Sequence, residues 1–260
     1  LSSSSAASDV YKRQTLFKIG RKLVIKLFNA SKFVLSQLDG ALEADNVFDL
    51  SMVTAEPDRA WVGILRDTIA AATRSLQNYD YTACLSAVED TFWNFCDNYL
   101  ELVKTKAYDA GATPESCSAL AVLDWSLRTF LRLFAPFMPY ITEEVWSWRY
   151  SDDGSIHTAA WPAEKEVDAV APPENPGAFA AAVEVVSAVR GHKTLHQTSL
   201  RTPVAAWTVS GTAEDLNMLE PMLPYIMDVA VADTKPQMQV LETRPEGDNR
   251  FLVDVTLGEN

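Results

Sequence analysis

The chain has 260 residues, 48% of them hydrophobic and 22% charged, which is enough apolar material for one large domain or two modest ones. Its formal net charge of −13 argues against indiscriminate nucleic-acid binding, although a local basic patch is compatible with that total. No apolar run is long enough to span a bilayer, and the three cysteines form no CxxC pair, which disfavours a membrane protein, a disulfide framework or a zinc site.

Residues 1–14 are rich in serine and alanine and end in DVYKRQ. They lack the basic start and apolar centre of a signal peptide. Residues 9–14 look like a sequencing adaptor translated in frame, so we expect residues 1–14 to be a non-native, disordered segment that packs against nothing. A natural disordered tail is the alternative. On the adaptor interpretation, native sequence begins near Thr15 and the chain is a piece of a longer protein.

The periodicity of residues 16–38 predicts the first helix. Its apolar side chains recur at helical spacing, at Ile19, Leu23, Leu27, Ala30, Val34 and Leu38. All charged residues between positions 15 and 35 are basic: Lys18, Arg21, Lys22, Lys26 and Lys32. This basic run is a local asymmetry in an acidic protein. Residues 39–59 are acidic and contain Pro57, which predicts a connecting loop.

Three more long helices follow, each with its own start signal. We expect one over residues 58–78 and another over 81–108, with Asp80 as the N-cap of the latter. Thr113-Pro114-Glu115 supplies an N-cap, a first-position proline and an acid for a helix that ends near Phe134. Four long amphipathic helices with short connections predict an antiparallel bundle.

A proline corner follows the bundle's fourth helix. Pro136 and Pro139 bracket an apolar turn, and Thr142 is predicted to cap a short helix over residues 142–148. The adjacent acids Glu143 and Glu144 fit the first turn of that helix better than acid/base chemistry, because neighbouring helical residues point to different faces.

The rest of the chain changes character. We expect a turn at 151–154, an extended segment at 156–162, a proline-rich linker at 163–177 and a helix at 178–191. A small α+β appendix then completes residues 178–260. Its predicted strands are 204–209, 226–231, 238–242 and 251–255, with a helix possible at 213–222. The fold class is therefore mainly α, a helical domain at 15–162 followed by this appendix.

Several stretches resemble one family in the correct order. They are KIGRKLVIKLFNASKFVL (18–35), FWNFCDNYLELVK (92–104), LFAPFMPYITEEVW (133–146) and HTAAWP (157–162). Together they resemble the anticodon-binding domain of class I aminoacyl-tRNA synthetases of the valine, isoleucine and leucine group, over residues 18–162 and more weakly to 201. The wording NASKFVL with DNYLELVK favours the valine members. The resemblance implies a cytoplasmic protein whose partner is valine tRNA.

The chain also departs from that family. The ATP-handling motifs HIGH and KMSKS are missing, as are the editing domain and the terminal coiled-coil arm. The resemblance therefore implies no catalytic residue and no cofactor in this chain, whereas ATP and Mg would serve the full-length enzyme with its catalytic domain. A lysine-rich run that relatives often carry after Arg190 is replaced by the more neutral GHKTLHQTSLR, which weakens an RNA-binding role there.

The basic face of the first helix is the main candidate for RNA contact. Lysine and arginine contact phosphates, and asparagine can recognise a base edge. The candidate residues on this face are Lys18, Arg21, Lys22, Lys26, Asn29 and Lys32. A solvated helix face is the alternative, and Asn29 could instead bond across the bundle.

Aromatic residues could stack unpaired anticodon bases. The candidates are Trp93, Phe95, Trp146, Trp148 and Tyr150. We expect most of them in the core, with Trp93 as the exposed stacker because it is out of step with the apolar stripe, and with Arg149 and Tyr150 as further contacts after a helix end.

A metal site and a protein-interaction role are the remaining interpretations of the sequence. His192 and His196 have the spacing of helical metal ligands, but no cysteine or acid lies near them in sequence, so no metal site is predicted. A non-enzymatic helical protein-interaction module is the alternative function, since it would use the same amphipathic helices without needing a basic stripe.

Overall fold

The computed structural model describes residues 3–42, 48–245, 247 and 249–258, and for residues 3–19 and 42 it describes the backbone alone. The first helix, α1, runs over Ser3–Leu42. Its backbone is helical through residues 3–14, which departs from the disorder that we expected there. The segment contains neither glycine nor proline, and extending a formed helix by one residue costs far less than starting one. Whether those residues pack against anything stays a prediction.

The helical body follows the predicted order. Its further helices are α2 (Glu56–Gln77), α3 (Tyr81–Asn94), α4 (Leu100–Ala107), α5 (Pro114–Phe134) and α6 (Pro139–Arg149). Lys26 of α1 contacts Asp97, and further along the chain Phe33 contacts Tyr108. The α1 helix and the segment that α3 and α4 form together, which is the third helix of the bundle, therefore run in the same direction, as in an up-down-up-down bundle.

Aromatic side chains fill the centre of the bundle. The rings of Trp61 and Tyr99 stack at 4.9 Å, and Phe92 meets Phe130 edge to face at 5.2 Å. All four side chains are at most 1% exposed, so they form the dry core around which the amphipathic helices pack.

The third helix is not continuous. A single π-helical turn, Phe95–Tyr99, separates α3 from α4, whereas the apolar stripe predicted one helix over 81–108. Both end residues of this turn are buried against Trp61. Such turns are frequent at functional sites, and this one lies opposite the basic part of α1.

The predicted helix starts are confirmed at two caps. The Asp80 carboxylate accepts a hydrogen bond from the Ala83 amide at 2.9 Å, and the Thr113 hydroxyl accepts one from Ser116 at 3.1 Å. The loop predicted for 39–59 is shorter than expected, because α1 continues to Leu42 and α2 begins at Glu56. Between them, 43–47 lie outside the described residues and 50–52 form a 3-10 turn.

The predicted cap at Thr142 is wrong. The short helix begins earlier, at Pro139, so Thr142 lies inside it and its buried hydroxyl donates to the Met138 carbonyl at 2.9 Å. Proline already has helical φ, which lets the helix start at the corner itself. Glu143 instead accepts from the Ile156 amide at 2.9 Å and supports a 3-10 turn at Ile156–Thr158, part of the segment that we predicted to be extended.

The C-terminal part contains a three-stranded sheet in the order β2-β1-β3, with β2 parallel and β3 antiparallel to β1. Its elements are α7 (Ala178–Leu195), β1 (Val204–Gly211), α8 (Ala213–Leu219), α9 (Leu223–Ala230), β2 (Gln237–Val240) and β3 (Leu252–Leu257). The strand predicted at 226–231 is wrong, because residues 226–230 belong to α9. Ile226 and Ala230 are buried one turn apart, and parallel strands need a crossover, which helices supply here.

The segment at 163–177 is attached to the bundle. The Glu56 carboxylate accepts hydrogen bonds from the backbone amides of Glu174 and Asn175, at 3.0 and 2.8 Å. Phe179 of α7 packs against Trp61 at 5.9 Å. The division at 163–177 into a bundle and an appendix stays a proposal. In the described part of the chain, no helix combines the length and apolarity that crossing a membrane requires.

Candidate nucleic-acid interface

One face of α1 presents cations to solvent. Leu23, Leu27 and Ala30 are buried against the bundle, which leaves Arg21, Lys22, Asn29 and Lys32 on the outer face of the helix. Within the part of the chain that the structure describes, no carboxylate pairs with Arg21, Lys22 or Lys32. Unpaired cations attract phosphates without first breaking an ion pair. The Lys18 side chain lies outside the described residues.

Lys26 differs from its neighbours on α1. Its ammonium is 2.8 Å from the Asp97 carboxylate in the π-helical turn, and its side chain is only 33% exposed. The same ammonium lies 5.5 Å from the centre of the Trp93 ring. Its charge is therefore already engaged inside the protein, which the sequence pattern did not reveal.

Trp93 is half-buried rather than freely exposed. Its indole N–H donates to Glu89 at 3.2 Å, and Lys26 covers part of the ring. As predicted, Phe95 and Trp146 are core residues, each 1% exposed. A base could stack on Trp93 only beside the lysine.

The most exposed tryptophan named above is Trp148, at 42%. Its ring meets Phe28 of α1 edge to face at 5.5 Å. The sequence contained a signal for this exposure: Trp148 is two residues after the buried Trp146, and two residues rotate a helix by about 200° to its opposite side. The apolar stripe instead predicts Trp93 as the exposed ring.

Arg149 and Tyr150 both bond to Asp124. Arg149 donates to that carboxylate at 3.0 Å, and the Tyr150 hydroxyl donates to it at 2.9 Å. Tyr150 is 6% exposed, and burial, aided by the negative Asp124, raises its pKa well above the usual value of a tyrosine. A buried ring cannot stack on a base without rearrangement, so Tyr150 does not belong to the exposed surface.

A groove of about 220 Å³ separates α1 from the third helix. Asn29, Phe33 and Lys104 line it, together with Cys96 of the π-helical turn. Among the described residues, the Asn29 amide has no hydrogen-bond partner, so the cross-bundle bond that we considered is not seen. Burial raises the pKa of the Cys96 thiol to about 12, which makes it an unreactive wall of the groove.

The end of α7 reaches the same region. Arg190 donates to the Asp97 carbonyl at 3.3 Å and to the Glu101 carboxylate at 3.1 Å. The rings of His192 and His196 stack at 4.2 Å, and among the described residues no group of three His, Cys, Asp or Glu side chains is placed to hold a metal ion. Acidic side chains therefore pair with the cations between α1 and the rest of the bundle. Among the described residues, the cations on the outer face of α1 have no acidic partner.

Comparison with known proteins places more than half of the chain in a family. Residues 58–207 match the family model described as the anticodon-binding domain of tRNA ligase. The chain is 43% identical to the valine--tRNA ligase of Thermobifida fusca (strain YX), over 80% of this chain and 23% of that protein. It is 37% identical to the valine--tRNA ligase of Cutibacterium acnes, over 93% of this chain and 26% of that protein. The chain therefore spans about a quarter of the length of these curated relatives. The family match begins in α2, so the basic face of α1 lies outside it.

Proposed function

The chain belongs to the family of anticodon-binding domains of tRNA ligases, and from this premise we propose that it is the tRNA-binding part of a valine–tRNA ligase. In the whole enzyme, which would join valine to its tRNA with ATP and Mg in the cytoplasm, this part would select the tRNA. The chemistry would belong to a catalytic domain elsewhere in that protein. The related valine--tRNA ligases support this proposal.

The observation that carries the role of α1 is its exposed, unpaired positive charge. Arg21 and Lys22 lie on the outer face of the helix in a protein whose net charge is −13. An acidic chain gains little from indiscriminate attraction to RNA, so binding depends on such a local patch. Phosphate contacts would fix the orientation of the tRNA, and Asn29, which is exposed on the same helix, would contact a base edge.

The test is a double charge reversal, Arg21→Glu with Lys22→Glu, measured by fluorescence anisotropy with a valine tRNA transcript. Two lost phosphate contacts should weaken binding by about tenfold or more and reduce the dependence of log K on log salt by roughly 1–2. We choose this pair instead of Lys26, because reversal of Lys26 would place two carboxylates together at Asp97 and disturb the bundle.

A matched control separates this effect from total charge. Lys165→Glu with Lys235→Glu changes the net charge by the same amount at two exposed positions away from α1, on a 3-10 turn and just before β2. The control variant should bind like the unmodified chain. Equal weakening by both double variants would contradict a localised interface. A failure of the unmodified chain to bind tRNA would favour the protein-interaction module instead.

A further inference from the structure

One aromatic side chain on α6 is held in place and still open to solvent. The indole N–H of Trp148 donates to the Glu144 carboxylate at 3.2 Å, one turn earlier on the helix. Phe28 of α1 packs against the indole at an interplanar angle of 80°. These two contacts restrict the rotamers of Trp148 while leaving 42% of the residue exposed. Little conformational entropy remains to be lost when a partner covers this ring.

Positive charge borders this aromatic side chain. The Lys32 ammonium lies 5.6 Å from the centre of the Phe28 ring, the same ring that touches Trp148. Arg21 and Lys22 are exposed earlier on the same helix. The surface therefore combines an exposed indole with unpaired cations, and the Glu144 carboxylate accepts a hydrogen bond from the indole N–H. An apolar protein partner would match the ring but not the cations.

Resting on the proposed function, we infer that Trp148 is a stacking platform for an unpaired base of the RNA that binds along α1. Aromatic side chains bind the faces of bases that are splayed out of a loop, while neighbouring cations hold the backbone phosphates. Bases inside a duplex are covered on both faces and cannot reach the indole. Trp148 thereby distinguishes a single-stranded loop from a helix, whereas the α1 cations attract both.

The test compares Trp148→Ala and Trp148→Phe in the whole 260-residue chain, using two RNA probes with equal numbers of phosphates. One probe is a stem-loop with the anticodon loop of valine tRNA, and the other is a blunt duplex. Loss of one stacking contact should weaken stem-loop binding by about tenfold in the alanine variant, with much less loss for phenylalanine. Binding to the duplex should not change, and neither should the salt dependence of stem-loop binding.

Controls make the result specific. Tyr140→Ala removes a 91% exposed ring from the other end of α6 and should leave stem-loop binding unchanged. Thermal unfolding of the alanine and phenylalanine variants verifies that both keep the fold of the unmodified chain. No loss for Trp148→Ala, or an equal loss for both RNAs, would overturn the stacking role. If Arg21→Glu with Lys22→Glu still weakened both RNAs, the proposed function would stand without it. An unmodified chain that binds neither RNA would overturn both.

Discussion

At the scale of single residues, a buried carboxylate joins three parts of the bundle. Asp58, 0% exposed near the start of α2, accepts hydrogen bonds from the hydroxyls of Tyr99 and Ser118, each at 2.6 Å. The Ser118 hydroxyl in turn accepts from the amides of Thr54 and Ala55. Burial raises the pKa of Asp58 from 3.8 to about 6, although both hydroxyl bonds oppose the shift. The sequence identified this residue only as part of a helix start.

This raised pKa predicts a pH-dependent stability. Between pH 3.8 and about 6 the folded state holds the Asp58 proton more tightly than the unfolded state, so its contribution is complete below pH 3.8 and is lost as pH rises through 6. Asp58→Asn does not titrate. We expect the unfolding free energy of the unmodified chain, minus that of the variant, to fall by about 3 kcal/mol between acidic and neutral pH.

Chemical denaturation at several pH values measures this difference. Asp90→Asn, which alters an exposed carboxylate on α3, controls for the removal of a charge. If the difference in unfolding free energy between the unmodified chain and Asp58→Asn stays constant with pH, burial does not shift the pKa of the Asp58 carboxyl.

At the scale of elements, helix ends depend on side chains that the sequence identifies directly. The Asp80 cap of α3 satisfies an amide that has no partner within the helix.

Lys193 stabilises the end of another helix. Buried in α7, it donates to the carbonyl of Ala230, the last residue of α9, at 2.7 Å and to that of Leu200 at 3.0 Å. Burial, with the nearby charge of Arg190, lowers the pKa of Lys193. One of its partners, Ala230, lies 37 residues away along the chain.

We predict that Asp80→Ala lowers the free energy of unfolding by about 1 kcal/mol, because the Ala83 amide loses its acceptor. The matched variant is Asp90→Ala, which removes an exposed carboxylate from the interior of the same helix. Alanine is the better helix former there, so stability should hold or rise slightly. Denaturant titration of both variants decides the matter. Similar losses for the two would mean that charge, not capping, explains the effect.

At the scale of the whole molecule, the proposed function separates RNA recognition from amino-acid activation. The exposed cations of α1 are distributed along a helix and do not converge on one phosphate. Activation of an amino acid by ATP needs several donors focused on the transferring group. The proposed function therefore assigns RNA binding to this chain and amino-acid activation to another part of the enzyme.

We accordingly predict that the chain shows no valine-dependent ATP–pyrophosphate exchange, even at concentrations where it binds tRNA. A complete valine–tRNA ligase assayed in parallel provides the positive control. Joined to a matching catalytic domain, the chain should improve tRNA charging far more than amino-acid activation. Exchange that increases with the concentration of the purified chain and requires valine would contradict this division of roles.

Local sequence is sufficient to predict the helical bundle, the caps at Asp80 and Thr113 and the basic face of α1. These features depend on local spacing, and an N-cap or an amphipathic stripe is complete within a few turns of one helix. For the same reason the motifs that resemble the family can be ordered along the chain without knowledge of tertiary contacts. The exposure of Trp148 also followed from its spacing to Trp146, although we assigned the role to Trp93.

How those side chains are used depends on their tertiary contacts. Residues 226–231 have a strand-like composition, but the crossover between β1 and β2 makes 226–230 helical. Lys26 and Tyr150 looked available, yet they bond to Asp97 and Asp124 from other helices. In each case burial and pairing depend on residues brought together from distant positions. Helical periodicity shows which face of a helix turns inward, but it does not identify the residues that this face contacts.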